Sequence, residues 1–168
     1  EGGRACLDVE LNDGDGYAAF SVDSLVLGYF QPFLPPGMAI DGRIDGSGDA
    51  ELRDGALARA EVALEITPGT LSAPGAPPLA FGPGRVFADT DANGAVQAGV
   101  DLEVAGGIVT ARADLAPADA DGVMALSGDI ALDLPDLDFL PVFSPEVIEA
   151  SGGIEGRFLL SGSTAEPL

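Results

Sequence analysis

The residues best spaced for chemistry are Asp89-Thr90-Asp91-Ala92-Asn93-Gly94-Ala95-Val96. Acidic groups two positions apart in a tight turn converge on a hard cation, and this run copies the opening of a calcium loop. The copy is incomplete. The bidentate acid that such a loop needs at its last position is replaced by Val100, with Asp101 one residue late. No helix-forming segment flanks the run, and Asn93-Gly94 is by itself a strong hairpin signal. The metal expectation is therefore none, with Asp89, Asp91 and Asn93 as a weak calcium candidate. Asn12–Asp15 is weaker still.

Catalysis has little to work with. There is no histidine, and all seven basic residues are arginines. A serine nucleophile would lack its base. Cys6 is the only cysteine, which excludes an internal disulfide, and no histidine or lysine is present to activate its thiol. General acid–base work would fall to carboxylates. Their spacing follows alternate positions of extended segments instead of converging on a pocket, so the expectation is no catalytic residue and no enzyme. No cofactor is expected.

The charge is −21. An acidic surface repels phosphate backbones and anionic bilayers, which argues against nucleic acid as a partner. Yet 46% of the residues are hydrophobic, too apolar for a disordered chain. Something must cover them.

The elements that would position these residues are strands. Leu7, Val9 and Leu11 alternate with Asp8 and Glu10; Phe20 and Val22 with Ser21; Val62, Leu64 and Ile66 with Glu61 and Glu65. Val100, Leu102 and Val104 alternate with Asp101 and Glu103, and Met124, Leu126, Ile130 and Leu132 with Ser127 and Asp129. Ile154, Phe158 and Leu160 share a face with Gly156, and Ile40 and Ile44 continue the pattern. Period two gives each strand one greasy and one mostly polar face. Asn12–Gly16, Asn93-Gly94, Ala105–Gly107 and Asp121-Gly122 mark reversals too short for parallel neighbours, so an antiparallel meander follows. Residues 67–84, rich in Pro, Gly and Ala, read as an irregular excursion with a short strand at 79–81, or as a linker. Helix signals are confined to Ser144–Ala150, with Ser144 as cap and Pro145 at the first turn, and to a similar proline-bearing stretch at residues 28–38.

Two architectures hide such a greasy face: a sandwich of two sheets, or one curved sheet whose apolar lining stays open as a trough. Glycines on the inward side at Gly42, Gly46, Gly128 and Gly156 leave room where a close-packed core wants bulk, which favours the trough. The expected fold is all-β: an elongated, curved antiparallel sheet with an apolar interior and one or two short helices.

A shift of 110 residues superposes two segments without gaps. Asp23, Leu27, Phe33, Pro35, Gly42, Ile44 and Gly46 fall on Asp133, Leu137, Phe143, Pro145, Gly152, Ile154 and Gly156. Residues 1–168 thus read as a fragment of a longer repetitive β-groove protein with related units at about 20–52 and 130–162.

The stretch "LDLPDLDFLPVFSPEVIEASGGIEGRFLLSGSTAEPL", residues 132–168, resembles the repeat of the TamB family, the translocation and assembly module inner-membrane component of the AsmA-like superfamily. That repeat has a Leu/Asp-rich strand, a short apolar stretch with prolines, G-x-[IL]-x-G, and L-x-G-[ST]-x-x-x-P, here Leu160, Gly162, Ser163 and Pro167. Residues 28–52 resemble it without the closing proline. The resemblance implies a periplasmic segment of an inner-membrane-anchored protein of a diderm bacterium. It implies a taco-shaped sheet that shelters or conducts phospholipid acyl chains toward the outer membrane, supporting outer-membrane biogenesis. Implied partners are phospholipid or another apolar guest, an outer-membrane barrel protein of the assembly-module type, and neighbouring repeats of the same chain. The implied groove lining is the apolar set named above, from Leu7 to Leu160. The alternative is a structural or adhesive β-module of a secreted bacterial protein, calcium-stabilised at Asp89–Asn93.

Overall fold

The computed structural model describes residues 3–54, 56–91, 93–117, 123–143, 146–147 and 149–163. The described residues form eleven strands of a single sheet: β1 (Arg4–Asn12), β2 (Asp15–Val26), β3 (Ala39–Ile40), β4 (Arg43–Arg53), β5 (Ala56–Ile66), β6 (Gly69–Ser72), β7 (Leu79–Thr90), β8 (Val96–Val104), β9 (Gly107–Leu115), β10 (Ala125–Leu134) and β11 (Ile154–Ser163). The main path is β1-β2-β4-β5-β7-β8-β9-β10-β11, antiparallel at every step. The short strands β3 and β6 pair with each other beside β7. Residues 67–84 are therefore no linker: β6 and a long β7 carry the sheet straight through them.

Turn chemistry sets the meander. Asp13 and Gly14, with φ of 42° and 100°, close the β1–β2 hairpin, and Ala105 and Gly106, at 50° and 76°, close β8–β9. Two consecutive positive φ values define the primed turn whose twist matches that of the flanking strands. At β7–β8 the Asp91 amide donates to the Ala95 carbonyl (2.8 Å) and the Gly94 amide to the Asp91 carbonyl (3.1 Å).

Among the described residues, helical structure is limited to two 3₁₀ segments, Leu27–Phe33 and Leu140–Val142. The first begins one residue before the proline-bearing stretch read from the sequence and ends inside it. Of the expected Ser144–Ala150 helix, residues 144, 145 and 148 lie outside the described residues, and the four that are described are not helical.

Neighbouring strands alternate in direction, so the connections fall on two rims. One rim carries the β1–β2, β4–β5 and β7–β8 turns and the end of β9 and start of β10. The other carries the longer β2–β4, β5–β7 and β10–β11 connections, including both 3₁₀ segments, and the tight β8–β9 turn. The sheet is open and curved, and there is no second layer over its apolar face among the described residues. Among the described residues, only Leu79, Leu134 and Val142 are buried apolar side chains, and none is completely enclosed. All three sit beside the rim of longer connections. A sandwich would bury a row of side chains on every inner strand; this molecule is a trough.

Candidate functional site: an apolar trough

Directly opposed residues in an antiparallel ladder share one face. The pairings therefore place most of the expected lining residues in rows that run across the strands. One row is Leu7, Phe20, Gly48, Val62, Ala88, Ala98, Ala113, Gly128 and Leu160. A second is Ala5, Val22, Gly46, Leu64, Val86, Val100, Ala111, Ile130 and Phe158. A third runs from Leu25 through Ile44, Ile66, Gly84, Leu102, Val109 and Leu132 to Gly156. Val9 opposes Ala18, and Leu11 opposes Gly16. Leu126 joins Leu115 and Gly162, Val104 joins Phe81 and Gly107, and Ile154 opposes Leu134.

Two expected residues stand apart. Ile40 lies on β3, opposite Leu71, which in turn opposes Leu79. Met124 immediately precedes β10.

Nine strands give eight ladder steps, so each complete row is about 38 Å long at about 4.8 Å per step. The middle of the floor is shallow-walled and built from small residues. Val62, Val86, Ala88, Ala98, Val100, Ala111 and Ala113 line an open cleft of about 230 Å³. The alanines and Val86 escape a reading by hydropathy period, because alanine is found on either face. Leu79 and Phe81 escape it for another reason. A bulge between Phe81 and Gly84 brings an odd and an even residue onto the same face, opposite Val104 and Leu102.

Glycines on the floor have packing reasons. Gly46 has φ +145°, and a Cβ there would lie 2.1 Å from the Ala63 carbonyl oxygen. Gly48 lies beneath the Phe20 ring, which a Cβ would meet at 2.6 Å.

The outer face is acidic. Asp49 opposes Glu61, which opposes Asp89. Asp133 opposes Glu155. Arginines are spent on partial neutralisation: Arg59 meets Glu61 at 2.7 Å and Arg157 meets Asp129 at 3.1 Å. Arg59 is held above its ordinary pKa by its hydrogen bond to Glu61 and by the charge of Asp49. Arg112 reaches Asp101 at 2.5 Å and also donates to the Val100 and Ala111 carbonyls. Its guanidinium and that of Arg85 lie 5.2 and 5.4 Å from the Phe87 ring centroid, on which both stack as cations.

Among the described residues, no group of three metal-ligating side chains comes together. At the calcium-loop-like run, the Asp91 carboxylate accepts the Asn93 amide (2.8 Å) and the Ala95 amide (2.9 Å). Those bonds, the Ala95 one foremost, hold it below its ordinary value. One of its oxygens is thereby committed to the turn. Asp89 lies on β7, opposite Glu61 and Gln97.

No helix among the described residues is long and apolar enough to cross a membrane. The sequence that folds into this open antiparallel sheet matches a known family: the model of the TamB N-terminal domain covers residues 2–168. The chain belongs to the TamB family. No curated protein and no solved structure shows a significant match to it.

Proposed function

We propose that this TamB-family chain is a periplasmic conduit segment that shelters phospholipid acyl chains in its trough between the inner and outer membranes, and so supports outer-membrane biogenesis. It acts without catalysis. The observation that carries the reading is the apolar face left open across nine strands, with only three apolar side chains buried among the described residues. Exposed hydrocarbon costs about 0.8 kcal/mol per methylene. A floor of valine, alanine and leucine offsets that cost at every step, and its uniformity avoids a deep local minimum that would trap the guest. A row of about 38 Å is longer than the roughly 30 Å hydrocarbon thickness of a bilayer, so extended chains fit along it. Family membership supports an inner-membrane-anchored parent protein with a barrel partner in the outer membrane. The unpaired edges of β1 and β11 suit neighbouring repeats of the same chain.

The test is a photoreactive residue at Leu102 or Leu132, both on the third row, with Asp133 and Leu159 as controls. Asp133 opposes Ile108 and Glu155, and Leu159 opposes Asp129, so both controls lie on the outer face. Leu159 is 79% exposed and apolar, which controls for hydrophobicity alone. Phospholipid adducts at 102 and 132, and none at 133 and 159, are expected. Equal labelling at Leu159 would sink the conduit.

A further inference from the structure

The two rims of the trough differ in charge. The described turns of one rim carry Asp13, Asp54 and Asp91, with Asp15 and Arg53 at the strand ends beside them, all exposed. On the opposite rim, residues 24–40 and 66–84 contain no charged residue, in a chain where 21% of residues are charged. These two segments form one lip. Ile40 pairs with Leu71 and Ala39 with Ser72, the Asp41 amide donates to the Thr70 carbonyl (3.0 Å), and the Gln31 side chain donates to the Met38 carbonyl. At its root Asp41 and Arg43 carry opposite charges, and the Asp41 carboxylate accepts the Thr70 amide and hydroxyl. The lip is continuous with the floor, for a Cβ at Gly42 would touch both Leu27 and the Phe81 ring at 3.1 Å. Tyr29, Phe30 and Phe33 are exposed on it.

The second long connection on this rim, residues 135–153, is its counterpart with one difference. Phe143 stands 110 positions after Phe33 (143 − 33 = 110), and both are exposed, at 59% and 84%. The second connection, however, carries Asp136, Asp138, Glu146 and Glu149. The charge of Asp136 raises the pKa of Asp138, as expected of crowded carboxylates.

We propose that the polar head of an anionic phospholipid crosses the rim over the uncharged lip of residues 27–40 and 66–79, while its acyl chains stay on the apolar rows. The proposal rests on the conduit reading. A head group has no place on an apolar floor and must project over one rim. Carboxylates on the turn rim and on the second connection lie within a Debye length of any phosphate placed there, and repel it. Residues 27–40 and 66–79 carry no charge of their own, the one carboxylate described at their root, Asp41, is committed to the Thr70 amide and hydroxyl, and the tyrosine and phenylalanines suit the boundary between hydrocarbon and water.

Two photoreactive anionic phospholipids test this, one with a diazirine in the acyl chain and one with it in the head group. Each is presented in vesicles to the full chain, and adducts are mapped by mass spectrometry. The acyl probe labels the floor near Leu102. The head-group probe labels residues 27–40 about fivefold more than residues 135–143 or 93–95. The double change Asp136→Asn and Asp138→Asn raises labelling at 135–143, and about 0.5 M salt narrows the difference. Floor labelling by the acyl probe with equal head-group labelling of both rims, or heavier labelling at the Asp91 turn, overturns the lip and leaves the conduit standing. Absence of acyl labelling on the floor overturns both.

Discussion

At the residue scale, Asp91 shows how a motif with a metal's outline serves a turn. Its carboxylate satisfies two backbone amides, and those bonds depress its pKa. A depressed acid contributes stability above its unfolded pKa, and the contribution is lost as pH falls through the folded value. Replacing Asp91 by Ala should therefore speed amide exchange at Asn93 and Ala95 at neutral pH. The difference from the parent should shrink as pH falls below the ordinary carboxylate value of 3.8 and vanish only below the depressed folded value. Added calcium should leave the exchange of both proteins unchanged. The sequence showed the turn and the competing loop pattern together. Which backbone amides meet the carboxylate was not legible there, because it depends on the turn's dihedrals.

At the element scale, strand existence and facing were readable from period two, while the bulges were not. Phe81 and Gly84 share a face only because the ladder slips between them, and Val22 and Leu25 do so for the same reason. The second slip leaves Ser24 at φ 51°, where its amide donates to Asp45 at 2.7 Å. No local pattern announces such a slip, since it is set by what the neighbouring strand presents. The floor glycines make a related prediction. Gly46→Ala puts a methyl group into the Ala63 carbonyl and should cost more than about 2 kcal/mol in urea unfolding. Gly75→Ala, with φ +79° and open space around it, should cost only about 1 kcal/mol of backbone strain. Equal costs would show that the β4–β5 approach is looser than the pairing implies.

At the scale of the whole molecule, the trough is a compromise between an acidic exterior and a lining that no second layer covers among the described residues. A net charge of −21 opposes compaction, and directly opposed acids such as Glu61 and Asp89 add to the strain. Salt should raise the melting temperature. Asp89→Asn should raise it by about 1–2 °C at low ionic strength and by less in high salt. The exposed ends of the sheet follow the same logic. Every residue of β1 is exposed, with Leu7 and Leu11 at 74% and 76%. The acidic composition was plain in the sequence. The choice of trough over sandwich was legible only through the inward glycines, because alternation reports that a face is apolar and is silent on what lies opposite it.

The ladder also contains a ruler. Val22 pairs with Gly46 and Leu132 with Gly156, so both partners advance by the same interval, 132 − 22 = 110 and 156 − 46 = 110. Phe20 with Gly48 and Ile130 with Phe158 do likewise. Between β2 and β10 lie six ladder steps, about 29 Å. A polypeptide laid crosswise to its own path travels slowly: at this pitch it consumes nearly four residues for each ångström gained. Reaching between two distant surfaces in this way demands a very long gene, and shortening it by one such interval would bring the far end about 29 Å nearer while leaving both rims in phase.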